Sequence, residues 1–169
     1  MKITECNLIH VPNIASTNDF LKQNHHVLPS GTIIQADYQS AGRGQFQRRW
    51  DSDAGKNLLF SLLLKSDVDL EALPVLVANS LVRLLKLHDI SAIVKSPNDI
   101  LVGGKKIAGI LIETSYQGEF LEAVIIGIGL NVNQVDFPGL VATSMAIEKG
   151  RQFHLPQVMS DWLLCFELD

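Results

Sequence analysis

A chain of 169 residues, 47% hydrophobic and 19% charged, has ordinary globular composition and enough length for one domain with a sizeable core. Its net charge of −4 argues against a general nucleic-acid binder, which carries a basic surplus. No stretch approaches the roughly 18 apolar residues of a membrane span, and Met1–Pro12 lacks the apolar run of a signal peptide.

The segment Thr4–Val11 reads as a first strand. Ser16-Thr17-Asn18-Asp19 then offers hydroxyl and carboxamide caps for a short helix reaching about Asn24. After a turn at Gly31, the β-branched content of Thr32–Tyr38 predicts a strand. A polar loop with several glycines runs from Gln39 to about Lys56. Leu58–Leu64 is an apolar run of strand length, which implies burial on both faces. Leu70–His88 places Leu73, Leu76, Val77, Leu81, Leu84 and Leu85 at helical spacing. Short strands are expected at Ala92–Lys95, Ile100–Val102 and Lys105–Thr114, the last two joined by a Gly103-Gly104 hairpin turn that needs positive φ. Phe120–Gly127 is a further strand, and Leu155–Leu168 is helical. Helices on a sheet built largely of hairpins predict an α+β domain with a mixed, largely antiparallel sheet. The chain stops at Asp169 inside an apolar helical pattern, so a single domain truncated at its C-terminus is expected. Cys6 and Cys165 lie at opposite ends. They suggest two ordinary thiols in a reducing cytoplasm rather than a disulfide or metal framework.

Three segments could carry chemistry. The loop Ala41–Trp50 combines glycines, which admit close backbone approach, with Arg43, Arg48 and Arg49, whose forked guanidinium groups pair with phosphate or carboxylate oxygens. Trp50 adds a flat face for stacking. The same residues could equally form a solvated basic loop or one that grips RNA. Lys95-Ser96-Pro97-Asn98-Asp99 is extended at Ser96, because proline disfavours helix before it, and Asn98-Asp99 is also a plausible plain turn. In the following strand Lys105 and Lys106 must point to opposite faces. Simple alternation puts Lys106 with Ala108 and Ile110, and Lys105 with Ile107 and Gly109. Both lysines could also simply sit in water near the turn. Gly127-Ile128-Gly129-Leu130-Asn131 lacks the third glycine and capped helix of a dinucleotide fingerprint. Its glycines suggest a strand lying close to a ligand. No metal-ligand spacing among the histidines and no serine nucleophile elbow is present.

In this order, Ser16-Thr17-Asn18, Gln39-Ser40-Ala41-Gly42-Arg43-Gly44, Arg48-Arg49-Trp50, Pro97-Asn98-Asp99, Lys106–Glu113 and Gly127–Val132 resemble the biotin protein ligase family over about two thirds of the chain. The resemblance implies a class II aminoacyl-tRNA synthetase-like fold, the biotin–lipoate ligase catalytic domain. It also implies activation of biotin by ATP to biotinyl-AMP, with magnesium accompanying the nucleotide and no fixed protein metal site. The biotinyl group would then pass to a lysine of a biotin carboxyl carrier protein.

By the same resemblance Lys106 and Arg43 are catalytic. Ser16, Thr17, Asn18, Gln39, Gly42, Arg43, Lys106 and Gly109 bind biotin. Arg43, Arg48, Trp50, Lys95, Asn98 and Asn131 face ATP and the adenylate. Gln45, Gln47 and Ser96 depart from the family pattern, standing where a basic or small residue, a glycine and a tryptophan are usual. Neither an N-terminal DNA-binding domain nor the C-terminal β-barrel typical of the family is expected. No nucleic acid or membrane is expected as a partner, and a homodimer is left open. The competing readings are a lipoate ligase, an RNA-binding module and a biotin-binding homologue that does not turn over.

Overall fold

The computed structural model describes residues 6–65 and 68–166. In chain order the elements are β1 (Asn7–Ile14), α1 (Thr17–Asn24), β2 (Thr32–Gln39), β3 (Leu58–Leu64), α2 (Leu73–Leu87), β4 (Ile93–Lys95), β5 (Asp99–Val102), β6 (Lys105–Gln117), β7 (Phe120–Leu130), α3 (Met145–Lys149) and α4 (Leu155–Cys165). A single 3-10 turn, Gln45–Gln47, lies in the loop after β2. The seven strands form one sheet in the order β1-β2-β3-β7-β6-β5-β4. Only β1 and β2 pair in parallel; every other neighbouring pair is antiparallel. This is the α+β, mixed and largely antiparallel sheet that the strand pattern predicts. Among the described residues no helix is long and apolar enough to cross a membrane.

The sheet is covered on both faces, and β3 shows why its sequence is apolar throughout. Leu58, Phe60, Leu62 and Leu64 face the main core formed with α2 and α4, while Leu63 joins Leu21 of α1 and Ile34, Ala123 and Ile125 in a second cluster on the opposite face. Trp162 of α4 anchors the main core. It is fully buried, its ring centroid lies 4.6 Å from that of Phe60 and 4.9 Å from that of Phe166, and its Nε1 donates to Ser80 Oγ of α2 at 3.0 Å.

Several boundaries differ from the sequence expectation. β1 continues past Pro12 to Ile14; proline is tolerated because this is an edge strand. The expected start at Thr4 and the end of the last helix at Leu168 lie outside the described residues. β7 does not stop at Gly127 but runs to Leu130, since its glycines answer to close neighbours rather than to a turn. Helix α3 was not anticipated, although Ser144, whose hydroxyl accepts from Ile147 N, and Gly150, at φ 65°, cap it as good N- and C-terminal signals do. The Gly103-Gly104 turn has φ of 55° and 79°, as a tight hairpin requires.

The alternation expected for β6 is overturned. Ile100 pairs with Ala108, but Leu101 pairs with Lys106, so Ile107 is a bulged residue with no partner of its own. Ile107 and Ala108 therefore both enter the main core, together with Ile110. Beyond the bulge the faces exchange, and Lys106 shares its side with Gly109 instead of with Ala108 and Ile110.

The aromatic anchor makes a direct prediction. Replacing Trp162 by alanine should cost about 3–5 kcal/mol, the usual range for emptying a buried tryptophan site. Leu164→Ala, on the exposed side of the same helix, should stay within about 0.5 kcal/mol. Urea denaturation of both variants checks the pair, and equal losses would contradict the packing described.

Candidate active site

A cavity of about 320 Å³ opens on the face of the sheet carrying α1. Ser16, Thr17, Asn18, Gln39, Arg43, Arg48, Trp50, Asn98, Lys106, Gly109 and Asn131 all line it. Two of the expected residues do not. Gly42 sits behind the loop in an adjoining depression, and Lys95, on the edge strand β4, is exposed and away from the cavity. The three-residue strand that carries Lys95 is the outermost of the sheet, and its cross-strand partner Asp99 lines the cavity in its stead.

One end of the cavity is a buried polar chain built on the N-terminus of α1. The Ser16 hydroxyl accepts from Asp19 N at 3.2 Å and caps the helix. Gln39 Oε1 accepts from Thr17 N at 2.8 Å and lies 3.0 Å from Thr17 Oγ1. Ser61 Oγ lies 2.7 Å from Thr17 Oγ1 and 2.5 Å from Asn18 Oδ1. Asn18 Nδ2 donates to Glu113 Oε2 at 2.9 Å and to Leu111 O at 3.3 Å. Ser61 is the one polar residue of β3 and is fully buried; a hydroxyl inside an apolar run was the available signal for it.

This helix end can approach the sheet only over glycine. A side chain at Gly127 would collide with the Asn18 carboxamide. At Gly129 a Cβ would lie 2.5 Å from the Trp50 ring, and at Gly109 2.9 Å from the same ring and 3.2 Å from Lys106 Nζ. The floor of the cavity is thus bare strand backbone, with the indole laid across it. Trp50 Nε1 is buried without an acceptor among the described residues, an orphaned donor of the kind that calls for a partner.

The cavity also holds cations. Lys106 Nζ pairs with Asp99 Oδ1 at 2.7 Å and lies 5.4 Å from the Trp50 ring centroid. Asn98 and Asn131 are tied down by their amides, which donate to Ile110 O at 3.2 Å and Thr143 O at 3.1 Å. Residues 42–50 fold back on themselves: Gly44 N donates to Arg48 O at 2.7 Å and Trp50 N to Gly42 O at 3.0 Å. The closure needs glycine at 42, where a Cβ would stand 2.5 Å from Trp50 O.

Arg43 Nη2 reaches Asp19 Oδ1 and Glu113 Oε2, each at 2.6 Å. Burial alone would raise the Glu113 carboxyl, but hydrogen bonds from Arg43, Asn18 and Lys22 outweigh it and hold it below the usual carboxylate range. The Arg43 guanidinium is raised, chiefly by its bond to Glu113. Arg49 turns outward to Ser40 O and Asp51. The Arg48 side chain has no polar partner among the described residues. Asp19, Asp99 and Glu113 close the cap segment and two of the motifs singled out in the sequence, but no site role was expected of them, because their partners Arg43 and Lys106 lie on other elements.

Known proteins resemble this chain in sequence and fold. The chain is 40% identical over 148 residues to the bifunctional ligase/repressor BirA of Bacillus subtilis, an alignment that covers 82% of this chain and 46% of that one. It is 34% identical over 128 residues to the bifunctional ligase/repressor BirA of Escherichia coli, covering 72% of this chain and 39% of that protein. The chain therefore spans about half the length, or less, of these curated relatives. Its structure superposes on the biotin protein ligase of Aquifex aeolicus solved with biotin and ATP, with a TM-score of 0.84 and 31% identity, over 95% of this chain and 68% of the other. A model of the biotin/lipoate A/B protein ligase family matches residues 11–131. That interval holds the whole of the polar chain, the glycine floor and the cationic loop, and by it the chain belongs to the biotin/lipoate A/B protein ligase family.

Proposed function

We propose that this chain is the catalytic portion of a biotin protein ligase, which joins biotin to ATP as biotinyl-AMP and passes the biotinyl group to a lysine of a carrier protein. The observation that carries the reading is the polarity of the cavity. Buried amide and hydroxyl groups of α1, β2 and β3 line one side, glycine backbone lies along the floor, Lys106 stands over it beside Asp99 and Trp50, and the loop adds Arg48 and Arg43, the latter tied to Asp19 and Glu113. Biotin has the matching characters, with a hydrogen-bonding ureido head, an apolar bicycle and chain, and a terminal carboxylate.

The ureido oxygen needs donors, and the Ser16 hydroxyl and Gln39 Nε2 supply them; neither donates to another group among the described residues. The biotin carboxylate oxygen attacks the α-phosphorus of ATP, a P–O bond forms, and pyrophosphate leaves. Charge accumulates on the phosphoryl oxygens, where Arg43 and Lys106 are already held by carboxylates and need little reorganisation, and Arg48 adds a third cation. Asp99 keeps Lys106 aimed. The indole of Trp50 presents a face for the adenine and an Nε1 proton that lacks an acceptor. Magnesium would arrive on the triphosphate and neutralise its charge there. In the second step the carrier lysine's amine attacks the acyl carbon of the mixed anhydride, loses a proton and expels AMP. The loop over Arg43 must exclude water, which would otherwise hydrolyse the anhydride. A reducing cytoplasm and a biotin carboxyl carrier protein belong to the same proposal.

Calorimetry discriminates between the ligands that one family covers. Biotin should bind with measurable heat, and lipoate should give none under the same conditions. The opposite pattern would move the assignment to lipoate ligation, and heat only from a short RNA would end the ligase reading.

The Lys106→Ala variant should lose adenylation by about 10²–10³, the usual cost of removing one preorganised donor to developing charge. Lys105→Ala, at an exposed position, should remain near the wild-type rate. Pyrophosphate release by both variants measures this, and a dead Lys105→Ala beside an active Lys106→Ala would refute the role given to Lys106.

A further inference from the structure

Glu113 lies two strand positions beyond Leu111 on the cavity side of β6 and bonds both Asn18 of α1 and Arg43 of the loop, a link that runs beside the direct Arg43–Asp19 pair. Its Oε1 accepts from Lys22 Nζ at 3.2 Å, while its Oε2 accepts from Asn18 Nδ2 at 2.9 Å and from Arg43 Nη2 at 2.6 Å. Asp19 takes the same edge of the guanidinium, receiving Nη2 at 2.6 Å and Nε at 3.3 Å. Arg43 is therefore gripped along one edge, and its Nη1 hydrogens have no partner among the described residues. An arginine held this way offers its remaining edge to an anion in the cavity.

The other side of Glu113 sets the order of protons in the buried chain. An ionised carboxylate only accepts, so Asn18 must turn its NH₂ toward Glu113 and its Oδ1 toward Ser61. Asn18 Oδ1 cannot donate, so the single Ser61 proton goes to it. Ser61 Oγ can then only receive the Thr17 proton, which leaves Gln39 Oε1 with the Thr17 N–H. The Glu113 carboxylate and the Leu111 carbonyl together fix Asn18, and through it the orientations of Ser61 and Thr17. The loop that covers the ligand's tail is fastened to the same carboxylate.

We propose that Glu113 is a positioning residue that couples filling of the Thr17–Gln39 end of the cavity to closure of the Arg43 loop. A head group that takes the Gln39 Nε2 proton and gives an N–H to Thr17 Oγ1 immobilises Ser61 and Asn18, and with them the acceptor on which Arg43 docks. Linkage is reciprocal: the factor by which the ligand tightens the loop is the factor by which the closed loop tightens the ligand. The proposal depends on the reading above for the identity of the ligand, and its unliganded arm does not.

The test is hydrogen exchange of residues 42–49, corrected for intrinsic rates, together with biotin titration. It uses the wild type, Glu113→Gln and Asp19→Asn. Without ligand, both variants should exchange faster in this loop, by about tenfold for the loss of a charge-assisted hydrogen bond. Saturating biotin should slow the loop in the wild type and in Asp19→Asn but not in Glu113→Gln, whose biotin affinity should fall by about the same tenfold.

The pH profile separates this role from a merely structural one. The charged groups facing Glu113 are Arg43 from the loop and Lys22 and Asp19 from α1. Its folded carboxyl is depressed, so the coupling is complete above the ordinary carboxylate range and is lost as pH falls through that depressed value. The acid step should persist in Asp19→Asn and vanish in Glu113→Gln. If Glu113→Gln does not fold, Arg43→Lys reads the same bond from its exposed side and should abolish the biotin-induced protection. Loop exchange in Glu113→Gln equal to wild type, with and without biotin, overturns the proposal. A wild type that binds no biotin overturns the ligand reading instead, and Glu113 is then judged by the unliganded comparison.

Discussion

The first turn of α1 rests on bare backbone of β7, and the site is organised around that contact. Only glycine at 127 leaves room for Asn18, and Asn18 is the group through which Ser61 and Glu113 reach each other. Burying so many polar atoms is tolerable because each is paired; an orphaned member would cost about 1–3 kcal/mol. The pairing therefore works as a constraint on geometry as much as a source of stability. α1 cannot slide or rotate without stranding several donors at once, and its capped N-terminus is thereby held against the cavity.

The cations of the cavity are held by charge. Lys106 and Arg43 each have a carboxylate within 2.7 Å, and both cations remain about one third exposed. Ion pairs so open to water contribute little to folding stability. Their role is to keep the cations aimed before an anion arrives, and a preorganised charge spends nothing on reorientation when negative charge develops. Rigid polar recognition and loosely tethered electrostatics thus share one cavity, which suits a ligand whose head is only bound and whose tail reacts. The glycine floor admits the Trp50 ring and the Asn18 carboxamide to the sheet surface.

Covering the sheet on both faces is what permits the site to be built on strands. The main core under α2 and α4 holds β3, β6 and β7 in register from behind, so their front faces can carry small and polar residues. The bulge at Ile107 belongs to the same arrangement. It sends two consecutive residues into that core and turns Lys106 to the front, beside Gly109, where strict alternation would have placed it with Ala108 and Ile110.

Most of the elements were legible from local patterns because their causes are local. The α2 stripe, the two-faced apolar run of β3, the Ser16 cap and the Gly103-Gly104 turn each reflect a period or a dihedral requirement within a few residues. The order of the motifs also singled out nearly every polar group that lines the cavity, by resemblance to a family. Three things lay beyond it: that Lys95 stands at the sheet edge away from the cavity, that a bulge reverses the faces of β6, and that Asp19, Ser61, Asp99 and Glu113 belong to the site. Each depends on which strands are neighbours and in what register. Register is set by contacts between residues as far apart as Asn18 and Glu113, and no local period encodes such a pairing. The sequence by itself determined the elements and the chemical inventory; the tertiary structure alone decided which carboxylate each cation would meet.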